Sequence, residues 1–242
     1  MFPILEVSDD LLAALAKSSQ VLLHAPTGAG KSTVLPLEIL KSGQIDGRII
    51  MLEPRRIAAR SVAARLAQQL GESVGETIGL RMRSESKVSA KTRLEVVTEG
   101  VLTRQLQNDP MLEGIGLVIL DEFHERNLQA DLGLALLLDS QQALRDDLKI
   151  LLMSATLDDQ GLSQLFPDAP VISSQGRTFP VQREYKPINP NKPFHQEVAS
   201  AVWQLMQQQA GSLLLFLPGV GEIERTKTPD GAPVTGGTIQ SR

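Results

Sequence analysis

Six uninterrupted aliphatic stretches alternate with amphipathic ones along the chain, and this constrains the fold more than any other feature. The stretches are "QVLLHA" (20–25), "GRIIMLEP" (47–54), "TRLEVVTE" (92–99), "GLVILDE" (116–122), "LKILLMSAT" (148–156) and "APVISSQ" (169–175). A strand with continuous apolar character is buried on both faces. Between these strands lie segments with helical periodicity: "SDDLLAALAK" (8–17), with Ser8 as expected N-cap, "KSTVLPLEILK" (31–41), "RRIAARSVAARLAQQL" (55–70), "GVLTRQLQND" (100–109) and "LGLALLLDSQQAL" (132–144). Alternating strands and helices predict an α/β fold, a parallel sheet covered by helices on both faces. Ligands of such sheets bind at the carboxyl ends of the strands. The ends to inspect therefore follow Ala25, Glu53, Thr98, Leu120 and Ser154.

Two of those ends carry chemistry. "APTGAGKST" (25–33) leaves a strand and opens a helix, the context of a phosphate-binding loop. Its candidate ligand-binding residues are Thr27, Gly28, Ala29, Gly30, Lys31, Ser32 and Thr33. Glycines let successive N–H groups point inward, and the helix N-terminus adds partial positive charge. Lys31 is placed to reach the β- and γ-phosphates of ATP and Ser32 to ligate Mg²⁺. The first position of the usual pattern is Ala25 rather than glycine. The second end is "VILDEFHER" (118–126), an aliphatic strand that stops in paired carboxylates. Asp121 can hold Mg²⁺, directly or through water. Glu122 can position and deprotonate an attacking water. Phosphoryl transfer needs placement and charge neutralisation more than covalent chemistry.

Composition excludes several other classes. The chain has 242 residues, no cysteine, and only three histidines, at His24, His124 and His195. A disulfide scaffold and a thiolate metal site are ruled out, and no histidine spacing suits zinc. A net charge of −4 argues against a wholly basic nucleic-acid coat, but leaves room for a local basic groove. No secretory signal or apolar membrane span is visible, so a cytoplasmic protein is expected.

The ordered set "APTGAGKST", "EPRRIAAR" (53–60), "VVTEGVL" (96–102), "LDEFHE" (120–125) and "MSAT" (153–156) resembles the superfamily 2 helicases of the DEAH type, in particular a bacterial branch. Phe123 stands where that family usually has alanine. The resemblance spans about residues 1–225. It implies an ATP-dependent RNA helicase with a RecA-like first domain (1–178), a linker (179–193) rich in proline, and the truncated start of a second RecA-like domain (194–225). That start holds a helix ("HQEVASAVWQLMQQQ") and a buried-type strand ("SLLLFLPG", 212–219). The polar tail 226–242 has no family counterpart and is expected to be disordered.

The resemblance further implies Glu122 as catalytic base, Asp121 as magnesium residue, His124 as the link to the SAT motif, and Ser154 and Thr156 as coupling residues. Arg55, Arg56 and Thr98 would contact the backbone of single-stranded RNA or another nucleic acid. Arg55 and Arg56 also sit where a strand gives way to a helix and can present their side chains to phosphates. Gly100 leaves room for a ligand to approach the backbone. Arg65 is a candidate to lie against the adenine, whereas Arg81 and Arg83 are expected at the surface.

One family expectation fails: no QRxGR-like segment occurs in the chain. Weak turnover and no unwinding by this chain are therefore expected. Two other readings stand beside the helicase. One is a nucleotide-binding interaction module without helicase activity. The other is a different phosphate-loop ATPase or kinase, disfavoured because kinases lack the SAT and "EPRR" motifs.

Overall fold

The computed structural model describes residues 2–125, 127–156, 165–176, 181–187, 189 and 191–227. The chain divides into two units, Met1–Phe179 and Pro180–Arg242.

In the first unit all six aliphatic stretches are strands: β1 (Gln20–His24), β2 (Arg48–Leu52), β5 (Leu94–Val97), β6 (Ile115–Leu120), β7 (Lys149–Ser154) and β8 (Val171–Ser173). Two more strands were not expected. β3 (Ile78–Met82) and β4 (Glu85–Lys87) form an antiparallel hairpin that extends the sheet at one edge. Gly79, Arg81 and Arg83 interrupt the aliphatic pattern there. Arg81 departs from its expected surface position: it is half-buried and its Nε donates to the buried Glu95 on β5 at 2.5 Å. A buried carboxylate is costly unless paired, which explains why an arginine is drawn into the sheet.

The strand order is β4-β3-β5-β2-β6-β7-β1-β8, and every pairing except β3 with β4 is parallel. Side chains alternate between two cores, one on each face of the sheet. Val21, Leu23, Ile49, Met51, Ile119 and Met153 join the first, with α1 (Ser8–Lys17), α2 (Leu35–Ser42) and α3 (Arg56–Leu70). Leu22, Ile50, Leu52, Val118, Leu120 and Leu152 join the second, with α4 (Glu99–Asn108) and α5 (Leu128–Ala143). The continuous apolar strands thus reflect a three-layer α/β/α sandwich.

Several expected boundaries move. Ser8 is not an N-cap but the first residue of α1, because a 3-10 turn, Pro3–Val7, runs straight into the helix. The Ser8 hydroxyl instead donates to the Leu5 carbonyl at 2.9 Å. Regular helix α2 starts at Leu35 rather than at Lys31. Pro36 has no N–H to give to the Ser32 carbonyl and its ring crowds that oxygen, so residues 31–34 remain turns.

The second unit contains α6 (Phe194–Gln208) and α7 (Val220–Lys227). The segment 212–219 was expected as a buried strand, but residues 212–217 have no regular secondary structure and no ladder partners among the described residues. Leu214 is 79% and Phe216 84% exposed. A strand exists only through its neighbours' hydrogen bonds, and the described residues supply none here. The expected tail lies mostly outside the described residues, as do residues 179, 180, 188 and 190 of the expected linker.

Candidate nucleotide and nucleic-acid site

The parallel register brings the strand ends into one row. Leu52 pairs with both Val97 and Leu120, Leu120 with Leu152, and Ser154 with His24. The residues that follow Val97, Leu52, Leu120, Leu152 and His24 therefore line one rim of the sheet.

At the β1 end the phosphate loop takes the shape its composition requires. Gly28 and Gly30 have φ of +83° and +102°, which side chains with a Cβ rarely adopt. A Cβ on Gly30 would also lie 3.0 Å from Ile4 Cγ2. Ile4 is fully buried and donates its N–H to the Ala29 carbonyl at 3.1 Å, so the N-terminal turn braces the loop from below. Lys31 is buried, donates from Nζ to the Ala25 carbonyl at 2.8 Å, and stands 3.6 Å from Glu122 Oε1.

At the β6 end Asp121 is buried, and its Oδ1 accepts the Glu122 N–H at 2.8 Å. Its Oδ2 is buried without a hydrogen-bond partner. Burial pushes the Asp121 carboxyl up to about 6; the Ser32 hydroxyl draws it down, and the Glu122 charge raises it. Glu122 has φ +48°, a strained conformation for a residue with a side chain. The turn directs its carboxylate toward Lys31 on one side and His124 on the other. His124 Nε2 is 3.3 Å from Glu122 Oε2, and His124 Nδ1 accepts the Ala155 N–H at 3.3 Å. With Nδ1 accepting, a neutral ring carries its proton on Nε2, facing Glu122. Ser154 Oγ donates to the Thr156 carbonyl at 2.9 Å and accepts the Thr156 N–H at 3.2 Å, closing the SAT turn on itself.

Arg55 and Thr98 follow the neighbouring ends of β2 and β5. Arg55 forms a forked ion pair with Glu125, Nε to Oε2 at 3.1 Å and Nη2 to Oε1. Arg56 donates to Ser84 Oγ at 2.7 Å. Thr98 occupies the N-cap position of α4 with no side-chain cap bond. A Cβ on Gly100 would meet nothing within 4 Å, so that backbone is open. Arg65 lies on the exposed side of α3, donating to Gln68 at 2.8 Å.

The chain matches the DEAD/DEAH box helicases over residues 6–165. It belongs to that family. It is 61% identical over 225 residues to the ATP-dependent RNA helicase HrpB of Escherichia coli strain K12, covering 93% of this chain and 28% of that protein. It is 37% identical over 228 residues to the ATP-dependent RNA helicase HrpA of Borreliella burgdorferi, covering 93% and 28%. The crystal structure of the E. coli DEAH/RHA helicase HrpB superimposes with a TM-score of 0.89, over 94% of this chain and 29% of that one. The chain thus spans less than a third of the length of these relatives. The parallel sheet read from the strand pattern and the RecA-like fold implied by the family resemblance both agree with this likeness.

Two residues at the rim escaped the sequence reading. Glu53, in "EPRR", is 4% exposed and faces Asp121. Burial first, then the Asp121 charge, push it up to about 9. His24 ends β1, and its Nε2 lies 3.0 Å from the Ala155 carbonyl, which can only accept. The Ala155 backbone is thus held by two histidine rings, His24 on its carbonyl and His124 on its N–H. The pattern "LLHAPTG" could have flagged His24 as a side chain at the head of the phosphate loop. Its partner lies 131 residues away, and no local pattern announces it.

Proposed function

We propose that the chain binds ATP with Mg²⁺ at the phosphate loop and a nucleic-acid backbone along the adjoining strand ends, as the ATPase part of a DEAH-type RNA helicase. The observation that carries this is the unbroken contact path Lys31–Glu122–His124–Ala155, joining the phosphate loop, the carboxylate turn and the SAT turn.

The residues fit a hard cation. Asp121 offers a buried carboxylate oxygen without a partner, and Ser32 lies beside it. Among the described residues no group of three or more His, Asp or Glu forms a cage. An ion bound here would therefore take much of its shell from phosphate and water, as Mg²⁺ commonly does. When bound, it supplies charge neutralisation at the phosphates. Lys31, Thr27, Gly28, Ala29, Gly30, Ser32 and Thr33 hold the phosphates. Glu122 orients water and takes its proton. His124, Ser154 and Thr156 pass the state of the nucleotide to the rest of the protein. Arg55, Arg56 and Thr98 receive backbone phosphates without reading sequence.

The domain reading belongs to the same proposal: a RecA-like domain to residue 178, a linker to 193, then the start of a second such domain, with a tail from 226. The parting of the contacts between Phe179 and Pro180 supports it. The sequence holds no QRxGR-like segment, and an arginine reaching the transferred phosphate from across a cleft is worth roughly 10³–10⁵ in rate. The chain accordingly binds ATP but turns it over poorly. That gap also favours the second reading, a nucleotide-binding module without helicase activity of its own.

The test is ATP hydrolysis by the chain with and without single-stranded RNA, beside Glu122→Gln and a nucleotide-binding titration. Binding, with turnover at the Glu122→Gln level, is the expected result. Clear RNA-stimulated turnover lost in Glu122→Gln would show that the chain's own residues suffice. Absence of ATP binding would overturn the proposal.

A further inference from the structure

Glu125 has no role in the proposed nucleotide chemistry, yet among the described residues it makes a forked contact with Arg55 on the nucleic-acid side. Arg55 grips its carboxylate with two N–H groups, the fork that a guanidinium makes equally with a carboxylate or a phosphate. The pair lies within reach of solvent, the Arg55 side chain being 71% and the Glu125 side chain 30% exposed. Its two members come from adjacent strand ends, after β2 and after β6. The Glu125 N–H is bonded to the Glu122 carbonyl at 2.9 Å, and its chain neighbour His124 touches both Glu122 and Ala155. The group that occupies Arg55 is therefore one peptide away from the histidine of the nucleotide site.

Resting on the reading of Arg55 as a backbone contact, we propose that Glu125 is a positioning residue of the nucleic-acid site. It stands in for a phosphate, holds the Arg55 guanidinium in receiving geometry, and yields it when a backbone phosphate arrives. The exchange swaps one forked partner for another and involves no covalent step. Two consequences follow. Nucleic acid binds less tightly than Arg55 alone would allow, because an ion pair must first be given up. The released Glu125 belongs to the turn 122–125, so arrival of a strand is felt where His124 meets Glu122. Arg56 provides an internal contrast. Its partner Ser84 is a neutral hydroxyl, a weaker competitor for phosphate.

The experiment measures the affinity of the 242-residue chain for a labelled single-stranded oligouridylate by fluorescence anisotropy. The variants are Glu125→Gln, Arg55→Ala, Arg56→Ala and the pairwise doubles with Glu125→Gln. An exposed ion pair is worth little, so Glu125→Gln should tighten binding by about two- to fivefold. Arg55→Ala should weaken binding and abolish that gain. Arg56→Ala should weaken binding and leave the gain intact. Removing one negative charge also has a uniform effect, but that persists without Arg55, which separates it from the exchange. Glu125→Asp keeps the charge but shortens the fork and should fall between Glu125→Gln and the original chain. Unchanged or weaker binding in Glu125→Gln, or an equal gain without Arg55, overturns the proposal while leaving the nucleic-acid reading standing. Failure of every variant to bind the probe overturns that reading and this proposal together.

Discussion

Glu53 is a carboxyl one residue beyond β2 that faces a second buried carboxyl, Asp121, with Glu122 and Glu125 close enough to add their charge. Its position is costly in the ligand-free chain. The folded protein holds its proton up to about pH 9, whereas an unfolded chain releases it near 4.5. Between those values the unfolded state binds fewer protons, so this group lowers stability progressively as pH rises and the cost levels off above about 9. Glu53→Gln mimics the protonated form and escapes this loss. Thermal melts of the ligand-free chain should therefore show Glu53→Gln gaining over the original chain as pH rises from 5 to 9. A constant difference across that range would mean that the carboxyl titrates normally. The same residue shows where sequence reading stops. Lys31, Ser32, Asp121 and Glu122 were legible because motif spacing along the chain reports them. Glu53 and His24 act through partners on other strands, and only the register of β1, β2, β6 and β7 reveals them.

Among the elements, α5 carries the clearest local determinant. Asn127 caps it, its Oδ1 accepting the N–H groups of Gln129 and Ala130 at 3.0 Å each. Its Nδ2 donates to Glu99 at the start of α4, so one side chain ties two helices on the same face of the sheet. Asn127→Ala should cost about 0.5–2 kcal/mol from the lost cap, read by urea denaturation. Asn127→Asp keeps the acceptor but sets a carboxylate against Glu99, and should recover only part of that loss. Equal stability of Asn127→Ala and the original chain would show that the cap is not a determinant of α5. The capping pattern was available in "ERNLQAD", yet the helix was read from 132 because Leu128 to Asp131 breaks the run of aliphatics. Elements with continuous apolar character, such as β6 and β7, were legible, with their ends displaced by one or two residues. The hairpin β3–β4 was not, because its stabilising partner is Glu95 on another strand and Gly79 and Arg81 break up the apolar residues of β3.

At the scale of the whole chain, the described residues that are buried all lie in the first unit. Two cores pack against the two faces of one sheet, from Ile4 to Phe166. No described residue beyond Ser174 is buried. Among its described residues the second unit has two helices, neither with a buried residue, and a segment without ladder partners that bears exposed Leu214 and Phe216. A unit with a complete core of its own folds independently, whereas one without a core adds little to cooperative stability. The chain shortened to residues 1–179 should therefore melt with the full chain and bind nucleotide with the same affinity. For a protein of this size, about 1 kcal/mol shifts the melting temperature by roughly 2–4 °C. A fall of more than about 4 °C in the shortened chain would mean that residues 180–242 supply more than that amount, and that the exposed apolar segment is covered in solution. Loss of nucleotide binding at an unchanged melting temperature would mean something different: a side chain beyond Phe179 completes the nucleotide site. The melt and the titration together therefore decide whether the phosphate loop, the carboxylate turn and the SAT turn form a self-sufficient nucleotide site.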